Sequence, residues 1–140
     1  RGGTTSSYTV NPDIGICVEV DFATDQPDVE RKHNGEVALG KGPILTRGAN
    51  INHGLFELLY TTAQEDKIAV QLTANPRATG TDANVMQISR GGVATALVKL
   101  PLRYMHTPVE VVSLSDLEQA AKLIVAALKR MGDKNEFIPQ

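Results

Sequence analysis

Few of the residues that announce a chemistry are present in this chain. It has one cysteine, Cys17, in 140 residues, which excludes an intrachain disulfide framework and any multi-cysteine zinc site. Tryptophan is absent and aromatics are 4% of the total, so the aromatic platforms of a sugar cleft have nothing to be built from. No apolar run approaches the ~20 residues of a bilayer-spanning helix. The first residues are polar, and no signal peptide is visible. Neither sign of charge dominates: 14 Lys+Arg face 16 Asp+Glu, for a net charge of −2. That balance gives no global electrostatic case for nucleic acid or for an anionic membrane surface as a partner. Internal repeats and low-complexity tracts are missing as well. A cytoplasmic location is the expectation.

What is there is ordinary for a folded protein. Hydrophobic residues at 41% and charged residues at 21% argue against intrinsic disorder. A span of 140 residues argues for one domain, or one piece of a larger one, over 1–140. The opening Arg1-Gly2-Gly3-Thr4-Thr5-Ser6-Ser7 has no initiator Met and no core-forming side chain. It reads as a flexible tail or as the middle of something cut.

Along the chain, Ile14 to Val20 is a β-branched apolar run that reads as a strand buried on both faces. A loop follows to Asn34-Gly35, a turn dipeptide suited to a hairpin. Val37–Leu39 and Ile44–Thr46 are short strand candidates. Asn50 or Asn52 caps a helix to about Gln64, with Ile51, Leu55, Leu58, Leu59 and Thr62 on one face. Lys67–Leu72 reads as a strand and Thr81-Asp82 as the cap of a helix through Ile88. Val93–Leu100 reads as a strand, 101–108 as a loop and Val109–Val112 as a short strand. Ser115-Asp116-Leu117-Glu118 has the form of a capping box. The helix it opens places Leu117, Ala120, Ala121, Ile124, Leu128 and Met131 on one face and ends at Gly132, with Phe137 and Ile138 as anchors of a polar tail. Alternating strands and helices predict an α/β layer fold with a mixed, partly parallel sheet.

Ligands of open α/β sheets collect at the carboxyl ends of the strands. The residues expected there are Glu19, Asp21 and Asp25 after one strand, and Arg103, Tyr104, His106 and Glu110 after another. Carboxylates with neutral imidazoles are the usual ligands of catalytic zinc or cobalt. Glu19 stands inside an apolar run, where an ionised carboxylate needs a cation or hydrogen-bond donors. Against a ligand role stands a strand-end Glu that reaches water or pairs with Arg103. His106, in a loop held by Pro101 and Pro108, faces the same choice between metal ligand and surface histidine. His33 and His53 pair with no Cys or carboxylate at a zinc-motif spacing, and Cys17 reads as a small buried apolar residue. The loop Arg77 to Ala83 brings a glycine to a helix start without the Gly-Lys-Ser/Thr ending of a phosphate loop. Thr81 or Asp82 there either caps the helix or offers an anion or carbonyl site. No serine sits in a nucleophile-elbow context.

Five segments together resemble a known family: Asn11-Pro12-Asp13 with its strand, Glu19-Val20-Asp21-Phe22-Ala23-Thr24-Asp25-Gln26-Pro27, Leu39-Gly40-Lys41-Gly42-Pro43, Ala78-Thr79-Gly80-Thr81-Asp82-Ala83, and Leu100-Pro101-Leu102-Arg103-Tyr104-Met105-His106-Thr107-Pro108-Val109-Glu110. They look like the C-terminal half of the catalytic domain in the glutamyl-aminopeptidase and tetrahedral (TET) aminopeptidase family. Its members are cytosolic dinuclear metallopeptidases, some of which carry the name endoglucanase M. The resemblance covers nearly the whole chain. It implies a peptide substrate, a homo-oligomer, and two divalent ions, zinc or cobalt. A carboxylate ligand falls eight residues before Pro27, at Glu19, where the family commonly has Asp. The family's last ligand falls at His106, on the other metal of the pair. Gly80, Thr81 and Asp82 are implied to line the substrate pocket.

The family's centre also needs an N-terminal His ligand, an Asp bridging both metals, and a Glu-Glu pair that includes the general base. All of these would precede Arg1, so no catalytic residue is expected in this chain, and the family's inserted small domain is absent. The resemblance therefore implies a C-terminal piece whose partner is the missing N-terminal half and which is inactive alone. The competing expectation is a non-catalytic binding or assembly module derived from the same fold. Glycoside hydrolysis, which needs two placed carboxylates, has no support in these residues.

Overall fold

The computed structural model describes residues 1–27, 29, 31–132 and 137. Among them the order of elements is α1 (Gly2–Val10), β1 (Ile14–Phe22), α2 (Arg31–Asn34), β2 (Ile44–Gly48), α3 (His53–Glu65), β3 (Gln71–Asn75), α4 (Ala83–Met86), β4 (Ala94–Arg103), β5 (Val111–Val112) and α5 (Leu114–Arg130). The strands form a mixed sheet in the order β1-β4-β2-β3, with β5 beside β4. β1 runs parallel to β4 and β2 parallel to β3, while β2 and β5 are antiparallel to β4. No helix among the described residues is long and apolar enough to cross a membrane.

Successive side chains of a strand point to opposite faces, and that alternation divides the sheet. Ala96, Val98 and Leu100 of β4, Leu45 of β2, and Ile14, Ile16 and Val20 of β1 face α3 and α5. Leu55 and Leu59 of α3 and Leu123 and Ala127 of α5 close over them. Each fully buried leucine contributes about 2 kcal/mol through burial alone. The opposite face carries Cys17 and Leu97 under Ala83 and Met86 of the short α4. Gly15 of β1 lets the tip of the Met86 side chain approach the strand, and a side chain there would push that tip aside.

Several elements depart from the sequence expectation, each for a visible reason. The opening segment is α1 and not a flexible tail. Its Ser7 and Thr9 hydroxyls bond carbonyls four residues back, and Gly3 packs against Asp82. β1 is an outer strand of the described sheet and is not buried on both faces. The α3–α5 layer reaches Val20 but leaves Val18 and Phe22 about half exposed. Gly35 takes a left-handed φ of 76° after α2 and closes no hairpin. Val37–Leu39 forms no strand, because its backbone bonds Thr24, Gln71 and Asp25.

α3 starts as expected, with the Asn52 side chain accepting from the Leu55 N–H. β3 begins four residues late, after Lys67 takes a left-handed φ of 55°. α4 ends at Met86 and Asp82 makes no side-chain cap bond there. β4 runs on through Pro101 to Arg103. Pro101 falls between the β2 ladder, which ends at Lys99, and the β5 ladder, which starts at Leu102, so its missing N–H costs neither a bond.

The capping box is not formed. α5 begins at Leu114, and the fully buried Asp116 carboxylate accepts the N–H groups of Gly40 and Gly42. That contact rotates the helix, so Leu117 and Leu128 are half exposed and Ala120, Leu123 and Ala127 are buried. Phe137 is an anchor, buried and holding the Asn52 amide through its carbonyl. Ile138 lies outside the described residues.

Candidate metal centre

Because β1 and β4 are parallel neighbours, their carboxyl ends coincide. The register sets Glu19 beside Lys99 and Asp21 beside Pro101. Residues two apart share a face, so Cys17, Glu19 and Asp21 of β1 and Leu97, Lys99 and Pro101 of β4 line the face turned away from α5. The chain then leaves β1 toward Asp25 and leaves β4 toward His106.

Partners at this end separate three carboxylates that look alike in the sequence. Lys99 is 7% exposed and its Nζ donates to the carboxylate of Asp21. A buried ammonium needs such a countercharge. Arg103 donates Nε to Asp25 Oδ1 at 3.0 Å and Nη2 to Oδ2 at 2.6 Å, a planar fork. That guanidinium holds the Asp25 carboxyl below its ordinary value, with a smaller downward pull from the Leu39 N–H. Glu19 is half-buried and has no hydrogen bond or ion pair among the described residues. The alternative in which it pairs with Arg103 is not realised, since Asp25 takes that guanidinium.

His106 lies in an exposed loop and its ring also has no partner among the described residues. Its backbone is tightly held. Tyr104 and His106 both take left-handed φ values, 57° and 66°. The His106 N–H donates to Glu110 Oε1 at 2.7 Å, and the Thr107 hydroxyl donates to the Tyr104 carbonyl at 2.6 Å.

The expected substrate-binding residues are placed differently. Thr81 shares a hydrogen bond with Thr79, whose hydroxyl accepts from the Asn50 amide. This network sits toward the end of the sheet where β2 and β3 finish. Gly80 is exposed and open around its Cα. Asp82 packs at Gly3 of α1 and acts on Cys17, as Glu19 does. Burial, with smaller contributions from Glu19 and Asp82, pushes the Cys17 thiol from 9.0 up to about 11. Cys17 is therefore an inert packing residue at neutral pH, as expected. A cavity of about 860 Å³ opens between Asn11, Asn50, Gly92, Thr95 and Phe137, and none of Glu19, His106, Gly80, Thr81 or Asp82 lines it.

Lys99 escaped the sequence reading. Its signal was a lone cation inside the apolar run Val93–Leu100, which required a buried countercharge on a neighbouring strand. No group of three or more His, Cys, Asp or Glu able to hold a metal forms among the described residues. The donor types of Glu19 and His106 nonetheless fit a divalent ion such as zinc or cobalt, and neither side chain has a hydrogen bond or ion pair among the described residues.

Known proteins resemble this chain over most of its length. The sequence model of the M42 glutamyl aminopeptidases matches residues 1–123. A lysyl aminopeptidase of Pyrococcus furiosus is 43% identical over 131 residues, covering 94% of this chain and 37% of that protein. The TET aminopeptidase of the marine sediment archaeon Thaumarchaeota archaeon SCGC AB-539-E09 superposes with a TM-score of 0.87 at 31% identity, over 97% of this chain and 38% of that one. The TET1 peptidase of Pyrococcus horikoshii, which assembles into a tetrahedron or a large octahedral shell, gives 0.64 at 26% identity, over 89% and 36%. The chain thus spans less than two fifths of the length of these relatives.

Proposed function

The chain belongs to the M42 glutamyl aminopeptidase family, and from that premise we propose that it is the C-terminal part of the catalytic domain of a two-metal aminopeptidase. In this reading the Glu19 carboxylate holds one divalent ion and the His106 imidazole the other, zinc and cobalt being equally suited. The observation that carries it is the pattern of partners at the exit of β1 and β4. Asp21 and Asp25 are committed to Lys99 and Arg103, whereas Glu19 and the His106 ring, the candidate ligands, have no hydrogen bond or ion pair among the described residues.

When bound, the two ions supply Lewis-acid polarisation of the scissile carbonyl and a water acidic enough to attack it at neutral pH. The chain's own residues hold and orient. Lys99 neutralises Asp21, which keeps that carboxylate from competing with Glu19. Asp82 and Thr81, with Gly80, border the substrate on the α4 side. A single ligand per ion cannot hold a metal against water, so the 140-residue chain by itself has no peptidase activity. A cytoplasmic peptide pool as substrate, a homo-oligomer such as the P. horikoshii peptidase forms, and the remaining catalytic-domain residues as partner complete the reading.

The test is a graft in which this chain replaces its matching segment in the P. furiosus lysyl aminopeptidase. Release of N-terminal residues from peptides, abolished by Glu19→Ala and by His106→Ala, is the expected result. A folded graft that is inactive, or whose activity survives both substitutions, overturns the reading. It would then favour a binding or assembly module.

A further inference from the structure

The His106 ring has no side-chain partner among the described residues, so its backbone alone aims it. That backbone is in an unfavourable state. Two non-glycine residues, Tyr104 and His106, adopt left-handed φ values of 57° and 66° within three positions. L-residues enter that region only where their surroundings enforce it. The enforcing contacts on the upstream side come from the exit of β1. Asp25 takes both fork nitrogens of Arg103, at 3.0 and 2.6 Å, and Gln26 Oε1 accepts the Tyr104 N–H at 2.9 Å. Asp25 is itself fixed by the Leu39 N–H at 3.1 Å. On the downstream side Glu110 accepts the His106 N–H.

We propose that Asp25 is a positioning residue for His106: through its fork to Arg103, the segment that continues from Glu19 sets the left-handed turn that carries the histidine. The proposal rests on the reading of His106 as a metal ligand. One ion pair then fixes the spacing between the two ligands, because Asp25 follows Glu19 on one chain segment and Arg103 precedes His106 on the other. Arginine suits this post because its planar fork fixes direction as well as distance, which a lysine cannot do. The Asp25 and Arg103 side chains are 21% and 35% exposed, so the fork is partly shielded from water.

The test uses Asp25→Asn and Arg103→Lys in the 140-residue chain, with Gln26→Ala as a milder variant that keeps the ion pair. Amide hydrogen exchange followed by NMR is the first readout. Exchange at Tyr104 and His106 is expected to quicken about tenfold or more in Asp25→Asn and Arg103→Lys, with the amides of residues 96–100 unchanged. In the grafted aminopeptidase the same two variants, still fully folded at the assay temperature, are expected to lower kcat about tenfold at unchanged KM and to alter the visible spectrum of the cobalt-loaded protein. Gln26→Ala gives a smaller change of the same kind. Unaltered exchange at His106, or restoration of full kcat by Arg103→Lys, overturns the proposal. Should the variants fail to fold, exchange at His106 in Asp25→Glu, which keeps the charge but lengthens the arm that carries it, decides it. A graft that is inactive with Asp25 intact overturns the aminopeptidase reading instead, and the exchange rates then decide the positioning role by themselves.

Discussion

The two faces of the sheet are made by the same strands, one residue out of step, and they hold opposite kinds of side chain. Under α3 and α5, Leu45, Val98, Leu100, Leu55, Leu59 and Leu123 form an apolar layer. On the other face the same β1 and β4 present Glu19, Asp21 and Lys99, Arg103 closes β4, and past the strand ends come Asp25 and His106. There the rule is pairing, and what matters is which group is left over. Burial makes one face a source of stability. The other face pairs Lys99 with Asp21 and Arg103 with Asp25, while Glu19 and the His106 ring have no hydrogen bond or ion pair among the described residues.

Four expected outcomes break or sharpen this contrast. The largest is Leu123→Ala, which should remove about 2–5 kcal/mol of stability in urea unfolding by opening a cavity in the apolar layer. A loss near zero would mean that the α5 face is not the core. Next is the Cys17 thiol, whose rise from 9.0 to about 11 leaves about a hundredfold less thiolate at pH 8. Iodoacetamide should therefore modify the folded chain at least that much more slowly than the unfolded one.

A smaller effect is expected for Asp25→Asn, and it should depend on pH. The folded carboxyl is held below its ordinary 3.8, chiefly by the Arg103 hydrogen bonds. The stabilisation is thus present in full above the unfolded value, and it is lost as pH falls through the depressed folded value. Wild type and variant should differ in unfolding midpoint at pH 6, and the gap should shrink below pH 3.8 and close once the folded carboxyl is protonated. A gap that persists there would place the effect outside the ion pair. The smallest is Glu19→Gln, within about 0.5 kcal/mol of wild type, because the carboxylate has no partner to lose.

Legibility follows the same division. The apolar strands and the α3 face could be read from period and propensity, and β2, β4 and α5 were found in place with shifted edges. α1 could not be read, since Gly, Ser and Thr are poor helix formers and its order comes from packing on Asp82 and from Arg90, which bonds the Tyr8 carbonyl and covers its ring. Asp116 looked like part of a capping box because its true partners, Gly40 and Gly42, lie more than 70 residues away. The same distance problem hid the pairs Asp21–Lys99 and Asp25–Arg103, each 78 residues apart. Glu19 and His106 were separable from their neighbours in the sequence only through the family pattern. In the structure, they differ from those neighbours by having no partner.

The most direct measurement is the cobalt content of the purified graft, taken for the unmodified graft and for its Glu19→Ala and His106→Ala forms. The account predicts about two ions per chain in the first and about one in each variant, since each side chain serves a different ion. Two ions retained in both variants, or none bound by the unmodified graft, would contradict it.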